Sequence, residues 1–278
     1  GVQGGLPMTC VLTCMIFAAV SGSSVATTFA IGSILIPALI KHGYPVGYAA
    51  SLQATSAELG VIIPPSIPMI LFGVAAEVSI SKLFIAGVLP GLLLASLFSG
   101  YIMFWALRHP DQVPAADGAT TFRQKLAASR SLIPVVLLIT AVLGSIYTGI
   151  ATATEAAAVG VVGSLILSTL QGSMNWAAFK GAIMGATRLY CMIALILAGA
   201  AFLTLAMGYI GLPRHLAEWI GTLGLSKAQL IVALSVFFAV LGCFLDGISI
   251  VVLTMGVLMP TVQAAGIDTL WFGIFVVL

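Results

Sequence analysis

Two stretches decide the fold: SGSSVATTFAIGSILIPALIKHG at residues 21–43 and LDGISIVVLTMGVLMPTVQAAG at residues 245–266. Each starts with a polar tip inside apolar sequence, continues through an apolar arm to a proline, and ends at a glycine. Pro37 and Pro260 are 223 positions apart, and so are Gly43 and Gly266. Few identities support this repeat, but the order of features is the same. Polar tips in register in two apolar halves are typical of transporters built from internal repeats.

The composition indicates that lipid is the solvent of this chain. Of its 278 residues, 61% are hydrophobic and only 6% are charged, whereas a soluble domain has about 25% charged residues. The net charge of +2, with scattered basic residues, argues against a nucleic-acid partner. The four cysteines lie in apolar runs, so we expect them to be buried thiols: Cys10, Cys14, Cys191 and Cys243.

Apolar segments predict an all-α polytopic membrane protein. A spanning helix needs about 20 apolar residues; the predicted spans are residues 83–107, 131–150, 154–170 and 189–210, with a broken helix at 46–77 and the start of another at 269–278. The arm before the first tip is shorter, at roughly 22 Å. We therefore predict two re-entrant helical hairpins, at residues 6–41 and 228–265, buried in protein or lining a wet cavity. The alternative is that each hairpin is one long kinked span.

The distribution of positive charge predicts the topology. The polar loop at residues 108–130 contains four basic residues and should be cytoplasmic. It separates a first repeat portion, residues 1–107, from a second, residues 131–278. Counting spans in both directions places Lys41 inside, so the first hairpin opens from the cytoplasm and the second from the outside. That is an inverted repeat. Residues 176–184 and 213–220 are candidate interfacial helices.

The first polar tip is the strongest candidate for a binding site. It consists of Ser21, Gly22, Ser23 and Ser24. Carbonyl and hydroxyl oxygens at a hairpin tip suit Na⁺, and amides at a helix N-terminus suit an anion. The alternative is a packing contact between small residues.

The second candidate is an interruption in the broken helix, which contains Ser56, Gly60 and the run Pro64, Pro65 and Ser66. We expect Gly60 and the prolines to break the helix, because each proline removes a backbone donor and clashes with the preceding turn. A broken helix facing a hairpin tip would complete an ion site; a kink without a ligand is the alternative.

Three carboxylates lie within or next to apolar segments. Asp246, followed by Gly247 at the second tip, could bind Na⁺, carry a proton, or cap the following helix. Glu155 begins an apolar helix, where a structural interaction with the helix dipole is favoured. Glu58 stays ambiguous between these roles. Arg188 is interpreted as an interfacial anchor.

Residues 21–74, with ATATEAAAVGVV at 151–162 and GCFLDGISIVVLTMGVLMPTVQAAGID at 242–268, resemble the large membrane subunit of tripartite ATP-independent periplasmic (TRAP) transporters. The resemblance covers essentially the whole chain, and the family chain extends further at both ends. It implies an ion-transporter-type fold, a bacterial or archaeal cytoplasmic membrane, and sodium-driven import of an organic acid by an elevator-like movement. The implied partners are a small four-helix membrane subunit and a periplasmic substrate-binding protein.

The resemblance also implies two sodium sites. One would lie between the first tip and residues 56–60, and the other near Asp246 and Gly247. We assign the candidate sodium ligands Ser23, Ser24, Ser56, Gly60, Asp246 and Gly247. The candidate substrate-binding residues are Ser21, Gly22, Ser23, Ser24, Pro64, Pro65 and Ser66. Many family members have a Gly-Thr-Leu-Gly-Pro-like break where this chain has AELGV at residues 57–61, so the carbonyls that complete the first site stay open.

Other functions are less well supported. A self-sufficient sodium/anion symporter of similar hairpin architecture, without a binding protein, is the alternative within transport. A membrane enzyme or a structural subunit is the alternative from another class. The sequence has no Walker phosphate loop, no His-Glu-x-x-His pattern and no Gly-x-Ser-x-Gly elbow, so we predict that the chain is not an enzyme.

Overall fold

The computed structural model describes residues 5–109 and 133–278, and all regular structure in those ranges is helical. The first six helices are α1 (Gly5–Ser21), α2 (Ser24–Lys41), α3 (Val46–Ala57), α4 (Leu59–Ile62), α5 (Ile67–Ala75) and α6 (Ile80–Arg108). The others are α7 (Ile133–Tyr147), α8 (Ala153–Leu170), α9 (Trp176–Ile210), α10 (Leu212–Thr222), α11 (Lys227–Gly242), α12 (Gly247–Ala264) and α13 (Thr269–Val277). Within the described ranges, five helices are long and apolar enough to cross a membrane, or six if the bent pair at residues 46–75 is one span. The prediction of a polytopic all-α membrane protein is confirmed.

The described residues form two compact units, which are considered separately. The first contains the described residues of Gly1–Ser66 and Phe84–Ser164. Within it, α1 and α2 contact each other and both contact α3 and α4. The side chain of Gln53 on α3 reaches Cys10 on α1 and lies against Gly32 on α2. In one continuous helix, 22 residues would separate Cys10 and Gly32 by about 33 Å, so α1 and α2 fold back on each other as a hairpin.

The second unit contains Ile67–Leu83 and Leu165–Leu278. Its central element is α12, which contacts α5, α9, α10, α11 and α13. Lys227 at the start of α11 donates a hydrogen bond from Nζ to the carbonyl oxygen of Gly266, just after α12, over 2.9 Å. The base of this pair is therefore closed, and α11 and α12 also form a folded-back hairpin. Phe72, Phe238 and Phe272 pack together in the core of this unit.

The sequence repeat corresponds to a repeat of backbone structure. Helices α2 and α12 each contain 18 residues, and both their starts and their ends are 223 positions apart. Ser23 and Asp246 are the corresponding N-caps. Gly43 and Gly266 both have positive φ, 90° and 64°, and a new helix begins three residues after each. Glycine adopts this conformation without the steric cost that other residues meet, which explains why the turn residue is the same in both halves.

The broken helix differs from the expectation in one respect. Gly60 does not break it, since the chain stays helical through Glu58 (φ −63°, ψ −20°) and α4 continues to Ile62. The interruption starts at Ile63, which is extended, and includes the cis peptide bond between Pro64 and Pro65. The physical reason is that a glycine weakens a helix by only about 1 kcal/mol, whereas a proline costs about 3 kcal/mol.

Two other expectations are wrong. Residues 176–184 are not a separate interfacial helix but the first turns of α9, which is continuous over 35 residues from its cap at Asn175. No proline interrupts it, and glycines are tolerated. Of the four cysteines, only Cys10 and Cys14 are buried, because Cys191 lies on an exposed face of α9 and Cys243 in the exposed turn after α11. Residues 213–220 do lie in a separate helix, α10, which starts after Gly211 (φ 74°), and its location at the membrane interface stays a prediction.

Most of the predicted loop at residues 108–130 lies outside the described residues. The segments predicted as spans at residues 83–107, 131–150 and 154–170 are helical within two or three residues at each described end, whereas α9 begins at Trp176, 13 residues before the start predicted for the span at residues 189–210. Whether the hairpins are re-entrant stays a prediction, since α2 and α12 are each long enough by length and composition to cross a membrane.

Candidate functional site

The first polar tip is a two-residue link between α1 and α2. Gly22 adopts φ 62° and donates its amide to the carbonyl oxygen of Ala18, 2.8 Å away, which closes α1. Ser23 is extended and caps α2, because its hydroxyl accepts a hydrogen bond from the amide of Ala26 at 3.3 Å. Ser24 is the first residue of α2. A serine cap satisfies one of the donors that a helix N-terminus leaves open.

Three oxygen atoms gather at this tip. The carbonyl oxygen of Ser23 accepts hydrogen bonds from the amide and the hydroxyl of Thr27, at 3.0 and 2.8 Å. The hydroxyl of Ser21 lies 3.1 Å from that of Thr27 and 3.4 Å from the carbonyl oxygen of Ser23. Thr27 is fully buried. Sequence reasoning missed Thr27, although its position one helical turn after Ser23 places it over the tip.

Helix α4 lies directly against these oxygens at Gly60. A Cβ atom at Gly60 would be 3.2 Å from the carbonyl carbon and oxygen of Ser23 and from the hydroxyl oxygen of Thr27. The absence of a side chain is what allows the tip to approach so closely. The structure thus brings together Ser21, Ser23 and Gly60, three of the residues proposed from the sequence.

Ser56 has a different environment. Its side chain is 1% exposed, and its hydroxyl forms no hydrogen bond within the described ranges, although the Cys10 thiol is close. Buried polar groups in folded proteins almost always have a partner. Ser56 also lines a cavity between α1, α3 and α6.

Pro64, Pro65 and Ser66 form the interruption after α4. The Ser66 hydroxyl, fully buried, donates a hydrogen bond to the carbonyl oxygen of Val61. This bond connects the two sides of the interruption. Gly91 on α6 faces this segment, because a Cβ there would be 3.2 Å from Cγ1 of Ile63. The structure therefore places these three residues beyond the end of α4, whereas Gly60 within α4 contacts the tip.

A buried amide joins the hairpin to α3. Gln53 is fully buried, and its Oε1 accepts a hydrogen bond from Cys10 Sγ at 3.2 Å. Its Nε2 donates to Cys14 Sγ and to the carbonyl oxygen of Thr27, each at 3.5 Å. Gln53 is thus bonded to both arms of the hairpin and positions the tip against α4. Sequence reasoning missed this residue too; the detectable signal is an amide side chain within an apolar helix.

The second tip lies in the second unit and contains Asp246 and Gly247. One carboxylate oxygen of Asp246 accepts hydrogen bonds from the amides of Ile248 and Ser249, at 3.1 and 3.4 Å, and the other accepts one from the Ser249 hydroxyl. Asp246 is therefore an N-cap of α12, and Gly247 is the first residue of that helix. The cap leaves Asp246 exposed.

The other carboxylates differ from one another. Glu155 forms a capping box with Thr152, whose amide donates to Oε2 at 2.8 Å, while the Glu155 amide donates to the Thr152 hydroxyl at 3.3 Å. Its predicted structural role is confirmed. Glu58 is exposed, and its carboxylate has no hydrogen bond or ion pair with any described residue. Within the described ranges, no three His, Cys, Asp or Glu side chains cluster as a metal centre, so the first tip offers hydroxyl and carbonyl oxygens instead.

Apolar helices long enough to cross a membrane, folded into two hairpins with polar tips, define a multi-pass membrane protein. The chain belongs to the family described as the tripartite ATP-independent periplasmic transporter, DctM component, which it matches over residues 1–278. This is a family of transport components rather than of enzymes. Family and fold together identify a multi-pass protein of the bacterial inner membrane, and the resemblance noted in the sequence is confirmed.

Three relatives illustrate the range of the family. The chain is 34% identical to the C4-dicarboxylate TRAP transporter large permease protein DctM of Pseudomonas aeruginosa, covering 99% of this chain and 64% of that protein. It is 35% identical to the ectoine/5-hydroxyectoine TRAP transporter large permease protein UehC of Ruegeria pomeroyi, covering 100% of this chain and 64% of that protein. It is 31% identical to the isethionate TRAP transporter permease protein DctMQ of Oleidesulfovibrio alaskensis, covering 99% of this chain and 43% of that protein. The chain thus spans less than two thirds of the length of these relatives.

Proposed function

We propose that this chain is the ion- and substrate-binding part of a large permease subunit that imports an organic acid together with sodium. The observation that supports the proposal most directly is the contact between the first tip and Gly60. It gathers the oxygens of Ser21, Ser23 and Thr27 at a helix interruption within apolar sequence.

Sodium is the cation that this chemistry favours. Hard cations prefer oxygen ligands, and hairpin tips with unwound carbonyls coordinate Na⁺ in transporters. The three oxygens hydrogen-bond to one another, so a bound ion would replace the bonds between hydroxyls with direct coordination. Asp246 at the second tip is the proposed ligand of a second sodium ion, and its cap geometry leaves the carboxylate exposed.

An acidic substrate fits the amides of the first tip. The first turn of α2 starts at Ser24, and its amides carry the positive end of the helix dipole. The relatives are named for a C4-dicarboxylate, for ectoines and for isethionate. This range suggests that the membrane scaffold accepts several small acids and zwitterions and that a binding protein selects among them.

The mechanism that we propose is an elevator-like movement of two re-entrant hairpins. Both hairpins fold back on themselves, and each tip is only two to four residues long. Short tips of this kind can lie at the bilayer midplane when protein surrounds them. The family description names a tripartite, periplasmic system, which suggests a small membrane subunit and a periplasmic binding protein as the partners.

The test is uptake by the intact transporter in proteoliposomes, with its binding protein, under an inward sodium gradient or with potassium replacing sodium. We expect uptake only with sodium. Thr27→Val keeps the shape of the side chain and removes one oxygen, so the sodium concentration for half-maximal uptake should rise at least tenfold. Ser33→Ala removes an exposed hydroxyl from the same helix and should leave it unchanged.

Two outcomes would contradict parts of the proposal. Full uptake with potassium alone would show that uptake is not coupled to sodium. Equal uptake with and without the binding protein would instead indicate the self-sufficient symporter.

A further inference from the structure

One face of α3 is exposed but unlike a lipid-facing surface. After Val46, its exposed residues are Gly47, Ala50, Ser51, Ala54 and Thr55, followed by Glu58 at the end of the helix. None is a large apolar side chain. The exposed face of α6 is different, as it carries Leu89, Leu92, Leu93, Leu97 and Leu107. Lipid-facing helices bury large aliphatic side chains in the hydrocarbon, so α6 has such a surface and α3 does not.

The polar groups on this face are available as acceptors. The Ser51 hydroxyl donates its hydrogen to the carbonyl oxygen of Gly47 at 2.8 Å, and the Thr55 hydroxyl donates to that of Ser51 at 2.9 Å. With the hydrogens engaged, the lone pairs of both oxygens can accept from water or bind a cation. Glu58 follows Thr55 by three residues, hence on the same side of the helix, and its carboxylate has no partner in the described part of the chain.

A cavity lies beside this face. It has a volume of about 220 Å³ and is lined by Ser51, Thr55 and Ser56 together with aromatic side chains that include Tyr48 and Trp105. The Ser56 hydroxyl is almost fully buried, lines the cavity, and forms no hydrogen bond to a described residue. At about 30 Å³ per molecule, the volume accommodates about seven waters. The cavity is mostly apolar, but the hydroxyls of Ser51, Thr55 and Ser56 give it a hydrophilic wall on α3 to which water can bind.

We propose that Ser51, Thr55 and Glu58 line an aqueous path along which the coupling cation travels between the first tip and the end of the unit that carries Lys41 and Arg108. The inference rests on the proposed function for the identity of the cation. Two contacts mark the ends that the proposed path would join. Gly60, two residues after Glu58, contacts the tip, while Tyr48 and Trp105 stack at the opposite end.

Glu58 is the residue that gives the path its selectivity. An unpaired carboxylate on the exposed face raises the local concentration of cations and lowers that of anions. By the charge distribution, Lys41 and Arg108 lie on the cytoplasmic side, so the path would release the cation into the cytoplasm. The competing explanation is a closely packed protein helix on the small-residue face, which would need a basic residue opposite Glu58.

The experiment measures access of charged reagents to Thr55. Thr55→Cys is introduced into the intact transporter after Cys191 and Cys243, the two exposed cysteines, are replaced by alanine. Inside-out vesicles are treated with membrane-impermeant methanethiosulfonates, one cationic and one anionic, without a sodium gradient. The matched control is Leu93→Cys on the lipid-type face of α6.

We expect Thr55→Cys to react. The ratio of its reaction rates with the cationic and the anionic reagent should be at least tenfold higher than the same ratio for a free thiol in solution. Glu58→Gln should abolish that extra preference, and Leu93→Cys should not react. The path is disproved if Thr55→Cys does not react from the cytoplasmic side, as under a packed helix, or if Glu58→Gln leaves the preference unchanged.

These results are separable from those on the proposed function, because the labelling needs neither sodium nor substrate. Sodium-independent uptake with the labelling pattern intact would count against the proposed function alone. Sodium-dependent uptake with an unreactive Thr55→Cys would count against the path alone.

Discussion

At the scale of single residues, the candidate site depends on what is small as much as on what is polar. Gly60 matters because it has no side chain, so Ser23 and Thr27 can lie against α4. The serines of the tip were evident from the sequence, since four small or hydroxyl residues interrupt an apolar run. The contribution of Thr27 was not, because a threonine within an apolar helix usually hydrogen-bonds only to its own backbone.

Gly60→Ala tests this contact. The added methyl group would lie 3.2 Å from the Ser23 carbonyl and the Thr27 hydroxyl, so the tip must move by a few tenths of an ångström. We expect the sodium concentration for half-maximal uptake to rise about tenfold, which corresponds to about 1.4 kcal/mol of binding free energy. Gly100→Ala in α6, where a Cβ meets nothing within 4 Å, is the control. Equal sodium dependence in both variants would show that the contact is only packing.

Asp246 requires two substitutions, because it already caps α12. Asparagine caps a helix about as well as aspartate, whereas alanine loses roughly 1 kcal/mol. Asp246→Asn should therefore leave the unfolding temperature in detergent nearly unchanged and weaken the sodium dependence of uptake. Asp246→Ala should lower the unfolding temperature and also weaken the sodium dependence of uptake. Unaltered sodium dependence in Asp246→Asn would leave Asp246 with the cap as its only role.

At the scale of helices, the elements are held by a few close approaches. In the first unit, Gln53 bonds to both arms of the hairpin. In the second, α13 packs against the segment that includes α5 through Gly273, where a Cβ would be 2.5 Å from Cε1 of Phe72 and 2.8 Å from Cδ2 of Leu83. The bounds of the helices follow from caps and prolines that are visible in the sequence. The residues that each helix contacts on its neighbours are not visible there.

Gly273→Ala should destabilise the second unit. Phe72 is fully buried and its ring is rigid, and overpacking of this kind typically costs 1–3 kcal/mol. We expect a lower unfolding temperature in detergent, partly restored by adding Phe72→Leu, which frees space at that contact. Gly208→Ala in α9, where a Cβ meets nothing within 4 Å, should not lower it. Additive effects of Gly273→Ala and Phe72→Leu would contradict the proposed contact.

At the scale of the whole molecule, the two halves repeat one plan. Corresponding caps, prolines and turn glycines lie 223 positions apart, and both hairpins fold back. The charge distribution predicts that the halves are inverted in the membrane, with the α2–α3 turn in the cytoplasm and the α12–α13 turn outside.

Labelling of single cysteines tests the inversion in a background without Cys191 and Cys243. His42→Cys and Gln263→Cys introduce thiols at exposed positions near the two turns. We expect an impermeant reagent to label His42→Cys only in inside-out vesicles and Gln263→Cys only in right-side-out vesicles. Labelling of both from the same face would refute the inverted repeat.

Composition, periodic interruptions and turn residues by themselves determined the membrane class, the number and bounds of most helices, the repeat and the family. These are local properties: apolar length, proline and glycine act within a few residues of the chain. Only the tertiary structure decided that Gly60 contacts the first tip and does not break the helix. It also decided that Gln53 and Thr27 join the hairpin to α3, and that the carboxylate of Glu58 lies unpaired on an exposed face. Those facts depend on which side chains meet across tens of residues, and burial and close approach between helices are not encoded in the residues of either helix alone.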